Sequence, residues 1–420
     1  MVKLLVLADD FTGSLDTGVQ FRAKGTRIRF GSRNSRYFEH LDEDVQVLIA
    51  DTESRHLSAE EAAAVIRQIV SDAVAHGVRY IYKKTDSGLR GNIGAELNAA
   101  LEASGKTLLH FIPAFPQIGR TTKNGIQYIK GVPVGESVFA KDPFNPVLHS
   151  RVKDIIADQC DTPVSAEGEL WPEYGIAVHD AESEQDLTAI AANLQNRNAL
   201  SLLAGCAGFA SVLPQLLELE PAEQTQPVFT PRLLTLCGSI NPITLEQLDA
   251  AQSKGIPRIL LTARQKLEEN WIDTPEGQEV LCQWAQIISS HPSTIIDCDG
   301  TGNPRELEAL REEMGLSFEQ MRCRIAETMG KILKALLDKG TEATILVTGG
   351  DTLLAGMSQL GQEELIPIRE ITPGVVLSQI RYREHNYNLL SKSGGFGTPD
   401  LLAQLQEIIC KYHSQEDESI

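Results

Sequence analysis

Several things are missing from this 420-residue chain, and each absence excludes something. No apolar run approaches the ~20 residues needed to span a bilayer. The opening MVKLLVLADD is too short in its apolar part for a signal peptide, and it meets Asp9 and Asp10 with no small-residue cleavage site after them. A cytoplasmic protein is therefore expected. The seven cysteines (160, 206, 237, 282, 298, 323 and 410) form no CxxC and no zinc spacing, so reduced thiols are expected rather than a disulfide frame or a metal site. Positive charge is scarce: 38 Lys and Arg stand against 57 Asp and Glu, a net charge of −19. That balance argues against a nucleic-acid partner. GxxxxGK[ST] is absent, GxGxxG does not follow the first strand of either half, and neither HExxH nor GxSxG occurs.

What is present reads as α/β. The runs KLLVLAD, VQVLIAD, YIYKK, TLLHFIPA and ALSLLAG read as short buried strands in the first half. RLLTLCGS, RILLTA, STIIDCDG and ATILVTGG follow in the second. Amphipathic stretches lie between them. Ser58–Ala75 opens on Ser with Glu three residues later, a capping box, and Ser317–Leu337 predicts a long helix. Strands alternating with helices predict mainly parallel sheets flanked by helices. A single core rarely grows beyond roughly 250–300 residues. The polar, proline-containing Pro221–Pro231 reads as a linker, giving domains at about 1–225 and 230–420. Gly119–Trp171 reads as irregular, and the tail SQEDESI as frayed.

Ligands of open α/β sheets bind beyond the carboxyl ends of the strands. The first strand runs into Asp9, Asp10, Thr12, Gly13, Ser14 and Asp16. A helix cap needs one of these residues; a site that grips hydroxyls or takes a proton uses several. The pair is not a haloacid-dehalogenase D-x-D-x-T motif, because Phe11 and Ala8 stand where that motif needs acids. Arg55 could clamp a carboxylate. Lys83, Lys84, Thr85, Asp86, Ser87 and Arg90 cluster before a helix expected near Asn92, a setting that attracts anions. Lys83–Lys153 holds ten basic residues (83, 84, 90, 106, 120, 123, 130, 141, 151, 153) against five acids (86, 96, 102, 136, 142). That local excess points to a small anionic ligand. Arg120, Thr121, Thr122, Lys123 and Asn124 are expected in a loop that could close over it.

The second half carries three glycine turns after apolar strands. The first is Cys237-Gly238-Ser239, before a helix that Pro242 can open. The second is Gly349-Gly350-Asp351-Thr352. The third has Gly394, Gly395 and Gly397, with Thr398 expected as cap and Pro399 as first residue of the last helix. Converging turns of this kind supply backbone amides for nucleotide phosphates.

ADDFTGSLDTG, KKTDSGLRGN, PAFPQIGRTTKNGIQYIKGVPVGES, VTGGDT and SKSGGFG, in this order, resemble the motifs of the four-carbon acid sugar kinases. The GSLDTG form resembles the D-threonate (D-erythronate) kinase branch. The resemblance implies an N-terminal domain for the sugar acid, a C-terminal domain for ATP, and an active site in the cleft between them. It implies phosphorylation of the terminal hydroxyl of a tetronate, with ATP and Mg2+. It implies Asp9 and Asp10 at the substrate hydroxyls, and Arg55 with Lys83, Lys84, Thr85 and Asp86 at the carboxylate and neighbouring hydroxyls. Ser239, Gly349, Gly350, Asp351, Thr352, Gly394 and Gly395 are implied at ATP. Asp10 and Asp86 are both candidates for the general base. Other readings are a 3-oxo-tetronate kinase of the same family, an NAD(P)-dependent sugar-acid dehydrogenase, and a non-catalytic sugar-acid binder. A homo-oligomer is left open.

Overall fold

A computed structural model of the chain describes residues 2–21, 25–29, 37–142, 145–166, 168–221, 229–298, 304–392 and 394–417. The expected linker and the end of the acidic tail lie largely outside these residues. The chain divides into two units, residues 1–223 and 224–420.

Eleven strands belong to the first unit: β1 (Leu4–Ala8), β2 (Thr26–Arg29), β3 (Val47–Asp51), β4 (Tyr80–Lys84), β5 (Leu108–Ile112), β6 (Arg120–Lys123), β7 (Ile126–Ile129), β8 (Val132–Pro133), β9 (Val164–Ser165), β10 (Gly175–Val178) and β11 (Leu202–Gly205). Eight of them form one parallel sheet in the order β2-β3-β1-β4-β11-β5-β10-β9. Every residue of β1, β3 and β4 is buried, because helices cover both faces of a parallel sheet. Fully burying one Leu or Ile contributes about 1.5–3 kcal/mol, so this apolar centre dominates the unit's stability. The helix Ala59–Ala75 carries the expected Ser58–Glu61 capping box.

The order places β1 between β3 and β4, where the winding of the sheet reverses. Register then sets Ala8 level with both Asp51 and Lys84. The residues just past these three strands therefore meet at one point, the usual position of a ligand crevice.

The segment 119–171 is more ordered than its composition suggests. Strands β6, β7 and β8 form a small antiparallel sheet, and a helix spans Val152–Ala157. Asn124 and Gly125 have φ of 51° and 70°, a mirror-image turn whose twist suits a tight hairpin. Arg120 to Lys123 thus lie on a strand, not in a loop.

The second unit contributes β12 (Leu233–Cys237), β13 (Arg258–Leu260), β14 (Ser293–Asp297), β15 (Thr344–Thr348), β16 (Glu364–Thr372), β17 (Val375–Tyr382) and β18 (His385–Lys392). Their order is β13-β14-β12-β15-β18-β17-β16. The first five are parallel; β17 and β16 continue as an antiparallel meander. The winding reverses between β12 and β15, and the glycine turns follow β12, β15 and β18. The last helix begins at Leu401, not at Pro399. Gln247 Nε2 donates to the carbonyls of Phe396 and Thr398 at 3.0 Å and 3.0 Å, which holds that turn outside the helix. All seven cysteines are free thiols. Among the described residues, no helix is long and apolar enough to cross a membrane.

Candidate active site

Adjacent residues of a strand face opposite sides of the sheet, and β4 uses this to separate its two lysines. Lys83 is completely enclosed, with Nζ 2.9 Å from Glu96 Oε2 on the helix Ile93–Ser104. Lys84 turns the other way. Its ammonium lies against Gly13 in the first turn of the helix Phe11–Phe21, 3.9 Å from Asp9 Oδ1. Of the two expected lysines, only Lys84 stands beside the aspartates; Lys83 backs the site through Glu96. Burial raises the Glu96 carboxyl despite Lys83, and the Ser54 hydroxyl also donates to Glu96.

Asp9, Asp10 and Asp86 gather around Arg55. Arg55 Nε donates to Asp9 Oδ2 at 2.7 Å and NH1 to Asp10 Oδ2 at 2.6 Å. NH2 lies 4.0 Å from Asp86 Oδ1. Arg55 was expected at a substrate carboxylate; here its fork is taken up largely by the protein's own carboxylates. Asp10 also accepts from the backbone N–H of Gly13 at 2.9 Å, so the helix cap and the carboxylate cluster share this residue.

Charge sets the protonation states. Burial pushes the Asp9 carboxyl up, but Arg55, Lys84 and Lys83 outweigh it and bring Asp9 to about 2. Asp86 is held well below the carboxylate range: burial raises it, while Arg90, Arg55 and Arg120 overcome that. Arg90 Nε donates to Asp86 Oδ2 at 2.9 Å and NH1 to Asp142 Oδ2 at 3.1 Å. Asp51 goes the opposite way, raised well above the usual range by burial and by Glu53 and Asp10.

Three buried oxygens at this point, Asp9 Oδ1, Asp51 Oδ2 and Thr85 Oγ1, have no hydrogen-bond partner among the described residues. Buried polar atoms rarely stay unpaired in a finished fold. These three oxygens lie at the carboxyl ends of β1, β3 and β4.

Arg120 was singled out in the sequence but assigned to a loop; strand β6 delivers it to the Ser87 hydroxyl and over the Phe139 ring at 5.1 Å. Glu96 gave no signal at all except helical spacing.

In the second unit the three glycine turns converge. A Cβ on Gly238 would collide with the Thr352 side chain, and one on Gly394 would stand 2.6 Å from Ser239 Oγ. Gly349, at φ 105°, would place a Cβ 3.3 Å from the Ser239 nitrogen. At Gly349 the positive φ and the neighbouring backbone require glycine, whereas at Gly238 and Gly394 the close atoms belong to side chains. Thr244 Oγ1 donates to the Gly394 carbonyl at 2.9 Å and fixes the third turn. Gly395 is exposed beside Asn241, and the helix Gly350–Gln359 starts in the cradle. Asp351 faces outward and pairs with Arg322 at 2.7 Å. Lys392, at the end of β18, was not singled out in the sequence. It is buried, its ammonium is lowered by that burial to about 8, and it lies 3.3 Å from Thr244 Oγ1.

Known proteins resemble this chain across both units. The family model described as "Sugar-binding N-terminal domain" matches residues 4–213, and "Nucleotide-binding C-terminal domain" matches residues 234–402. A D-threonate kinase of Salmonella typhimurium is 32% identical over 436 aligned residues, covering 97% of this chain and 100% of that protein. A D-erythronate kinase of Heliobacterium modesticaldum is 25% identical, covering 95% of each. A solved structure from Salmonella typhimurium has the same fold, with a TM-score of 0.75 at 21% identity over 97% of this chain and 99% of its own.

Proposed function

Because this chain belongs to the four-carbon acid sugar kinase family, and is therefore a kinase rather than a sugar-acid dehydrogenase or a passive binder, we propose that it phosphorylates the terminal 4-hydroxyl of D-threonate, D-erythronate or both at the expense of ATP. The first unit holds the sugar acid and the second holds ATP. The observation that carries the substrate reading is the group of unpaired buried oxygens at Asp9 and Thr85, set among Lys84, Arg55 and Asp86. A small polyol with a negative charge has the hydroxyls and the anion to satisfy them.

Phosphoryl transfer is mostly positioning and charge neutralisation. Asp9, Asp10, Thr85 and Asp86 orient the substrate hydroxyls, Arg55 holds the carboxylates in place, and Lys83 supports them through Glu96. Asp10 or Asp86 accepts the proton of the attacking hydroxyl. The backbone N–H groups at Ser239, Gly349–Thr352 and Gly394–Gly395 hold phosphates, and the close packing of the three turns on one another brings those amides together. Mg2+, carried on the phosphates, would neutralise the transferring group with few protein ligands. Use of ATP fits a cytoplasmic setting.

The test is an ATP-consumption screen over D- and L-threonate, D- and L-erythronate and their 3-oxo forms, with the phosphate of the product located by NMR. The largest kcat/KM is expected for D-threonate or D-erythronate, with phosphate on C4. Preference for a 3-oxo acid would move the enzyme to the 3-oxo-tetronate kinases.

A further inference from the structure

Resting on the sugar-acid reading and deepening it, we infer that the carboxylate of the substrate is held by Arg120 and Lys84, while Arg55 braces the aspartates. The cations of the first unit differ in what already occupies them. Arg55 spends Nε and NH1 on Asp9 and Asp10 and turns NH2 toward Asp86. Arg90 is bound to Asp86 and Asp142. Lys83 is sealed in with Glu96. Arg120 has no carboxylate within 4 Å among the described residues; its partners are the Ser87 hydroxyl and the face of Phe139. Among the described residues Lys84 has only Asp9 Oδ1 within 4 Å, at 3.9 Å, beyond hydrogen-bond range.

These two cations meet the chain at the end of β4. Lys84 is the last residue of that strand, and Arg120 donates to the hydroxyl of Ser87 in the loop that follows it. Lys84 also lies against the first turn of the helix Phe11–Phe21, where the Asp10 carboxylate accepts from the Gly13 N–H and offsets the positive end of the dipole. Thr85 Oγ1 and Asp9 Oδ1, both buried and without a partner, complete the surroundings. A guanidinium with no carboxylate within 4 Å among the described residues, beside an ammonium whose one carboxylate oxygen stands 3.9 Å away, is the setting for a ligand carboxylate.

Arg120 is also held still. Its hairpin is fastened to the loop after β4: Gln127 Nε2 donates to the Ser87 carbonyl at 3.2 Å, and Thr122 Oγ1 donates to Gln127 Oε1 at 2.7 Å. Stacking on Phe139 sets the plane of the fork. A guanidinium fixed in this way binds a carboxylate with less ordering cost than a free side chain.

The test uses the full chain and calorimetric Kd values for D-threonate and for D-threonamide, which is the same length but neutral. Wild type is expected to prefer the acid. Arg120→Gln is expected to weaken D-threonate by about 30-fold or more, as for loss of a charged hydrogen bond, and to abolish most of the preference. Arg120→Lys is expected to keep part of the preference, and Lys84→Gln to lose part. Equal weakening of both ligands in R120Q, or an undiminished preference for the acid, overturns the assignment. If wild type binds neither compound, nor any other tetronate, the sugar-acid reading itself fails, which is a separate outcome.

Discussion

Three carboxylates surround the Arg55 guanidinium, and they differ most in how far they face outward. The side chain of Asp9 is 2% exposed, Asp86 9% and Asp10 30%. A base must reach the proton that it takes. Asp86 is also held well below the carboxylate range by Arg90 and Arg55 against its own burial, which weakens it as a base. Asp10→Asn is therefore expected to lower kcat by about 100-fold or more, the usual scale of general-base catalysis, with a much smaller change in KM. Asn can still accept from the Gly13 N–H, so the helix cap survives and the loss is not one of folding. Asp86→Asn is expected to act mainly on KM. Steady-state kinetics of the two variants decide it: near-normal kcat in D10N rules Asp10 out. The motif residues of this cluster were legible in the sequence because chemistry-bearing residues stand at the ends of apolar runs. Their pairing was not. That Arg55 reaches back to Asp9 and Asp10 depends on β3 lying beside β1, a contact across some 45 positions of chain that no local pattern encodes.

At the scale of elements, the short β2, β9 and β10 went unread, but the other parallel strands were legible for a physical reason. Buried on both faces, they read as unbroken apolar runs. The strands β6 to β8, β16 and β17 were missed because an antiparallel strand with one wet face carries a weaker pattern; β16 is mostly half-buried along its length. The cues present were turn residues, Asn124-Gly125 and Pro373-Gly374. Neighbouring strands also create a pair that no run of sequence announces. His110 on β5 and His179 just past β10 lie 3.0 Å apart, Nδ1 to Nε2, with Trp171 packed edge-on against both. Burial, His179 and Arg197 lower His110 to about 3, and burial lowers His179 to about 4. Both rings are neutral in the fold, whereas the unfolded chain protonates them below about 6.5. Stability from this pair is thus complete above pH 6.5 and is lost as pH falls toward 4 and then 3, by about 1.4 kcal/mol per pH unit for each ring. Urea titrations of wild type against His110→Gln/His179→Gln should show the difference shrinking from pH 7 to pH 4. A difference that does not vary with pH would sink this account.

Over the whole molecule, a net charge of −19 repels both a sugar acid and ATP at long range. Binding then depends on local devices, and the two units build them differently. The first concentrates cations, with Lys84, Arg55, Arg90 and Arg120 around the ends of β1, β3 and β4. The second uses few side-chain charges and many backbone amides, at turns after β12, β15 and β18. The chemistry of each device matches one ligand, so each ligand should quiet its own set of segments. In hydrogen exchange of the full chain, D-threonate is expected to protect residues 9–16, 52–55, 83–90 and 120–127. Mg-ATP is expected to protect 237–244, 348–353 and 394–398. Ligand binding stabilises a site by about 2.7 kcal/mol at a hundredfold excess over Kd, so protection of these segments, which open locally, is measurable at saturating concentrations. Protection of the glycine turns by D-threonate alone, with none at the aspartate cluster, would reverse the assignment of ligands to units. The same result would separate the two anion sites from the charge of the surface, because that charge is common to both units and only the strand ends differ.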